Sequence, residues 1–243
     1  MGMFIKSNAL VVLLLAFLAT TGCATAQKPI SFNLNPDANR TIGIVQVEAP
    51  VPAAQYTGSI GLLDLAIIAT ANSGLNAHLK TQKFDGDYKE LPKNLKTILE
   101  NKGYKVVLID KSIDIKAASK YKEYKNGVNT NDFSKYKTEH GVADLLLLNM
   151  SAVGTTRSYY GPVPLTEPTA NVVIRGAIIN LDNNKLEWLT TANSSKVIEK
   201  PWDESAKKWP NLTNAIYTAV NESTKLIQTE IENPELVNKT AAK

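Results

Sequence analysis

Apolar positions along the chain fall into short runs and longer periodic stripes. Residues 41–47 (TIGIVQV), 104–109 (YKVVLI) and 143–150 (ADLLLLNM) are brief and rich in β-branched residues or leucine, as buried strands are. The four consecutive leucines of the third predict burial on both faces of a sheet. Residues 171–181 and 186–192 form two further strands around Asp182-Asn183-Asn184-Lys185. Asparagine tolerates the positive φ of a tight turn, so this pair is predicted to be an antiparallel hairpin. Residues 91–102 read as a helix, with Pro92 in its first turn, Leu95, Ile98 and Leu99 on one face, and Gly103 placed as the left-handed residue after it. Residues 132–140 read as a short helix stopped by Gly141. Leu212, Ile216, Val220, Ser223, Ile227 and Ile231 recur at helical spacing between Pro210 and Pro234, which predicts an amphipathic C-terminal helix.

The segment from Ile60 to Lys80 follows neither pattern. From Ile60 to Ala71 it is apolar nearly all round, with Gly61, Ala66, Ala69 and Ala71 interleaved and Asp64 as the single charge. An all-round apolar helix belongs in a core, under a sheet. The small residues also suit close approach to an envelope protein partner or a second copy of the chain. Twelve strongly apolar residues are short for a membrane span.

Strand, helix, glycine stop and strand in succession is the grammar of an α/β layer. The fold class expected is therefore α/β: a single mixed sheet flanked by helices, with an antiparallel hairpin and the C-terminal helix. The expected divisions are a signal segment at 1–22, a polar tether at 23–40, the folded domain at 41–232 and a loose tail at 233–243.

Composition narrows the classes. The 243 residues are 44% hydrophobic and 21% charged, enough apolar material for a sizeable core. The net charge of +4 is mild, and Arg40, Arg157 and Arg175 are its complete arginine set, too few for a dedicated nucleic-acid binder. Cys23 stands alone, so neither an intrachain disulfide nor a cysteine-based zinc site can form. The charge is uneven. Residues 111–137 carry seven lysines against three acids, with Tyr121, Tyr124, Phe133 and Tyr136 between them, while the remainder of the chain beyond Lys6 is slightly acidic. This stretch is either a solubilising insertion or a contact for an anionic surface or acidic partner, led by Lys120, Lys122 and Lys125.

The N-terminus carries the sharpest motif. One cation precedes the eleven-residue apolar run at 9–19, which fits an export signal. The run ends in Thr20-Thr21-Gly22-Cys23, which resembles the lipobox of bacterial lipoprotein signal peptides, with Thr20 where that pattern usually has leucine. The resemblance implies cleavage before Cys23, acylation of that cysteine, and anchorage to a bilayer. Ala24, rather than Asp, resembles the outer-membrane sorting pattern. A plain secretory signal cleaved near Ala24-Thr25-Ala26 is the competing reading.

Catalytic chemistry is sparse. His78 and His140 are the two histidines, far apart in sequence and without helical metal-pair spacing. Asp85, Asp87 and Glu90 superficially resemble a calcium loop but lack the ligand order, so a solvated turn is expected. No phosphate loop or serine elbow is present, and neither cofactor nor metal is expected. A hydrolase or small-ligand receptor stays open, because catalytic carboxylates need no linear motif. Residues 157–168 (RSYYGPVPLTEP) offer Tyr159, Tyr160, Val163 and Leu165 either as a partner-binding loop or as a lid folded onto the core. Trp202 and Trp209 read as packing anchors.

The order of elements from residue 41 to 232, together with the lipobox, resembles bacterial envelope lipoproteins with a compact α/β domain, such as those of the curli-secretion lipoprotein and of penicillin-binding-protein activators. The likeness rests on element order and assigns no residue a role. It implies a non-enzymatic module supporting envelope assembly or transport.

Overall fold

The computed structural model describes residues 27–37, 39–123, 125–203 and 205–234. The signal segment, Cys23, Tyr124 and the tail beyond Pro234 lie outside the described residues.

One mixed sheet of seven strands organises the chain. β1 (Thr41–Gln46) lies between β3 (Lys105–Leu108) and the first half of β4 (Asp144–Tyr160), parallel to both. β2 (Ala53–Ser59) runs parallel to the second half of β4. On the other side of β4 lie β6 (Thr169–Asn180) and then β7 (Leu186–Val197), both antiparallel to their neighbours. The two-residue β5 (Val163–Pro164) folds back on the tip of β4. The α/β class, the mixed sheet and the hairpin read from the sequence are all present, and Asn184 in the β6–β7 turn has φ 59°.

Alternation along β4 makes two cores. Leu146, Leu148 and Met150 face α3 (Gly86–Asn101) and α5 (Pro210–Glu232), while Leu145 and Leu147 face the opposite side. Side chains of Leu212, Ile216, Val220, Ile227 and Ile231 seat α5 on β6 and β7. Gly176 in β6 lets that layer close: a Cβ there would come 2.5 Å from the buried Trp188 ring. The second core is covered by residues 109–134, through Ile113 and Phe133, and by α4 (Lys135–His140), which ends at the left-handed Gly141.

α3 differs instructively from its sequence reading. It begins at Gly86, so Asp85 to Glu90 is the helix start rather than a solvated turn, and Tyr88 is buried. Pro92 therefore sits inside the helix, where it cannot donate to the Tyr88 carbonyl one turn back. That carbonyl accepts instead from the Gln46 side-chain amide. The Tyr88 hydroxyl lies 2.9 Å from the Leu148 carbonyl and 3.0 Å from that of Val47, donating to one, and accepts from the Met150 N–H at 3.1 Å. Burial pushes this phenol well up from its ordinary range. Gly103 has φ 89° after the helix, as expected.

The stretch read as a tether packs against the body from Gln27 onward. Gln27 donates to the Val128 carbonyl at 2.9 Å and accepts from the Gly127 N–H at 2.9 Å. Ile30 bridges to Leu189 and Phe32 is buried against Tyr104 and Trp188. Apolar side chains in this arm complete the core that the strand edges leave open.

Candidate functional site

The segment from Ile60 to Lys80 forms two helices, α1 (Leu62–Ala71) and α2 (Ser73–Thr81), separated at Asn72. The Asp64 carboxylate accepts from the Gly61 N–H at 3.0 Å and fixes the start of α1. Asn72 closes the end: its amide donates to the Ile68 carbonyl at 2.8 Å and reaches the Tyr159 hydroxyl at 3.4 Å. Of the α1 side chains, Ile68 is the buried one. Leu62 is 91% exposed and Leu63 76%, and Leu65 and Ile67 are exposed as well. The expectation of a core helix is thus corrected: a helix touching the body along one narrow line cannot cover apolar residues placed all round it.

The same end of the molecule holds the β4–β5 hairpin. Its turn is tied to β2 by the Gly161 N–H donating to the Ser59 carbonyl at 2.8 Å, and Gly161 lies beside the Asp64 carboxylate. The Arg157 guanidinium donates to the Thr166 carbonyl at 2.7 Å and stacks over Trp202 at 4.8 Å, holding the strap that returns from the tip. Tyr160, Val163 and Leu165 project outward, with Tyr160 directly opposite Val163. Tyr159 points the other way, as strand alternation requires. It is 3% exposed and meets Tyr56 edge to face, 5.7 Å between ring centres. So Tyr159 is a fastening of the hairpin rather than contact area. Asn76 completes it, donating to the Tyr56 hydroxyl at 3.0 Å and accepting from the Ala54 N–H at 3.1 Å.

Leu62, Leu63, Leu65 and Ile67 on α1 and Tyr160, Val163 and Leu165 on the hairpin are all exposed at this end, where Gly161 lies beside Asp64, the single charge of α1. Exposed apolar side chains clustered at one end of a folded domain are the kind of surface that can take a partner. Such a surface can exclude water against a partner. The sequence showed the apolar residues of α1 but gave no sign of their exposure, since a helix apolar all round looks the same whether buried or uncovered.

The lysines lie elsewhere. Lys122 and Lys125 are exposed, and Lys125 pairs with Glu123 at 3.0 Å. Lys120 donates to the Asn131 side-chain carbonyl at 2.9 Å. The three belong to the covering segment at 109–134 and do not adjoin Tyr160 or Val163, so the two candidate contact regions are separate. His140 stacks on Tyr136, 5.6 Å between centres, at the end of α4. His78 hydrogen-bonds the Thr213 hydroxyl at 3.0 Å and lies 5.1 Å from the Trp209 ring, which makes Trp209 a packing anchor between α2 and α5. Among the described residues no three His, Cys, Asp or Glu side chains gather to hold a metal ion, and no helix is long and apolar enough to cross a membrane.

No protein-family model matches the chain, and no curated protein is similar in sequence. Solved structures are similar in part. Lipoprotein GNA1162 from Neisseria meningitidis is 13% identical over 75% of this chain and 99% of its own, with TM-score 0.33. A PelC dodecamer from Paraburkholderia phytofirmans is 10% identical over 84% and 95%, with TM-score 0.34. A minor lipoprotein from Acinetobacter baumannii is 10% identical over 80% and 93%, with TM-score 0.30. At these identities and scores the likeness assigns neither family nor function.

Proposed function

We propose that this chain is an envelope lipoprotein, anchored through acylated Cys23 on the periplasmic side of the outer membrane, that works as a non-enzymatic assembly module by docking a second copy of itself through its apolar end. The observation that carries the docking is the exposure of Leu62, Leu63, Tyr160, Val163 and Leu165 at one end of the molecule, where Gly161 of the hairpin lies beside Asp64 of α1. The anchor rests on the lipobox-like Thr20-Thr21-Gly22-Cys23 after an eleven-residue apolar run, and the outer-membrane placement on Ala24.

A second copy is the occupant that anchoring favours. Gln27 is fastened to the body only four residues after Cys23, so anchored copies stand at the same height and in similar orientation. Identical patches then meet at one level in two dimensions, where effective concentration is high. Like patches facing each other make a closed, symmetric contact.

Two measurements test this. Metabolic labelling with a palmitate analogue should mark the wild type and not Cys23→Ser; an unlabelled wild type rejects the anchor. Sedimentation of the full chain in neutral detergent should show an oligomer that Leu62→Ser/Leu63→Ser converts to monomer with little change in melting. A wild type that stays monomeric at every concentration rejects the self-docking. A second role, small-ligand binding, is favoured by a cavity beside Gln27 and is compatible with the first.

A further inference from the structure

The outer face of the sheet is only partly covered by residues 109–134. Where the cover stops, a cavity of about 320 Å³ opens between it, the Gln27 arm and strands β4, β6 and β7. Its floor is apolar, built by Leu147, Ala177 and Leu189, which are neighbours across three strands. Its polar wall is cationic and amide-rich. Arg175 and Asn149 are direct cross-strand partners on this face, and Lys120 approaches from the cover. No acidic side chain lines the cavity.

The groups in that wall have spare donors. Arg175 is exposed and makes no ion pair with any described residue, so its guanidinium donors are open to a ligand, whereas Arg40 and Arg157 are engaged by a carboxylate, a carbonyl or aromatic rings. Asn131 is buried, and its side-chain carbonyl is taken by Lys120 while its amide nitrogen has no protein acceptor among the described residues. The wall itself is rigidly made: Asn129 and Asn184 both donate to the Asn131 carbonyl, and Val128 bridges to Lys185. A guanidinium, an ammonium and side-chain amides without a counter-ion are the donor set for a phosphate group. Beside them, an apolar floor suits the methylenes attached to that phosphate. The volume fits a headgroup rather than a whole lipid.

We infer that this cavity binds the headgroup of an anionic phospholipid, with Arg175 and Lys120 on the phosphate, Asn131 and Asn149 beside them, and the Leu147–Ala177–Leu189 floor under the glycerol. The source of the phosphate follows from where the chain leaves the structure. Gln27 forms part of the cavity wall, and Cys23 is four residues upstream, within about 14 Å at full extension. This part of the inference rests on the lipid anchor proposed above: an acylated Cys23 brings the cavity to the membrane surface. It also turns the exposed Lys122 and Lys125 toward that surface. The apolar end, roughly 35 Å further along β4 at about 3.3 Å per residue, then lies clear of the bilayer.

The test is a titration of the full chain, held in neutral detergent, with water-soluble dihexanoyl phosphatidylglycerol, dihexanoyl phosphatidylcholine or inorganic phosphate, read from the side-chain amide NMR signals of Asn131 and Asn149. Saturable shifts with phosphatidylglycerol are expected, with the other two binding about tenfold more weakly or worse. Arg175→Gln should weaken phosphatidylglycerol about tenfold and Lys120→Gln several-fold, while Arg157→Gln, at the far end of β4, should leave it unchanged. Equal binding of inorganic phosphate would overturn the lipid assignment in favour of a plain anion site. Unchanged affinity in Arg175→Gln, or no saturable shift with any of the three, would overturn the site itself. The titration reads the cavity whether or not Cys23 carries a lipid, so its failure and that of the anchor are separately visible.

Discussion

At the start of β4 the Asp144 carboxylate is 4% exposed, and Arg40, still 37% exposed, donates to it through two nitrogens. Burial pushes the carboxyl above its ordinary range against the pull of the guanidinium, while the hydrogen bond to Asp144 raises Arg40. The acid thus depends on a partner that water can reach. Arg40→Met should cost about 2 kcal/mol in urea unfolding, below the figure for a fully buried pair because Arg40 is solvent-screened. His78 is the reverse case. Burial, then Lys208, pushes its imidazole below the ordinary 6.5, so the folded state favours the neutral ring. Its contribution to stability is complete above pH 6.5 and is lost as pH falls from there through the lowered value. An NMR titration should find the ring midpoint below 6.5, with the melting temperature of His78→Gln less sensitive to acid over the same window. At Gly176 the constraint is steric. Gly176→Ala drives a methyl into Trp188, whose indole N–H is also held by Glu230 at 3.2 Å, and should destabilise by about 1–3 kcal/mol in the same unfolding measurement.

Among the longer helices, α1 is held at few points and α5 at many. α1 is pinned by Ile68, by Asn72 and by its contact with the hairpin, whereas α5 buries a stripe along its whole length. Ile68→Ala removes that pin and should cost about 2–4 kcal/mol locally. Hydrogen exchange should then quicken across α1 and the Tyr159 hairpin while α5 and β6 keep their protection. The elements that were legible in the sequence are those whose packing is one-sided: α5, with a clean stripe, and the β6–β7 hairpin, with its asparagine turn. α3 was legible from Leu91 onward only. Its start was hidden because the proline that looked like a first-turn signal is tolerated further in, where Gln46 from another strand occupies the carbonyl that Pro92 leaves open.

Across the whole molecule, long β4 separates two surfaces of opposite character: a cationic, amide-lined cavity beside the Gln27 arm and an apolar end at α1 and β5. On the anchored reading, a spin label at Lys122 should be broadened by paramagnetic lipid and one at Leu165 should not, and equal broadening of the two would reject this orientation. What the sequence by itself determined was local: strand and helix identity where the apolar period is regular, the hairpin turn, the glycine stops and the lipobox-like end at Cys23. Each follows from the conformational limits of a few adjacent residues. Tertiary structure alone decided that the apolar α1 is uncovered, that Tyr159 turns in while Tyr160 turns out, that the polar arm after Gln27 is part of the body, and that Arg175, Asn149 and Lys120 converge. Those facts depend on which surfaces run out of neighbours and which strands lie side by side, and residues far apart in the chain carry no local sign of either.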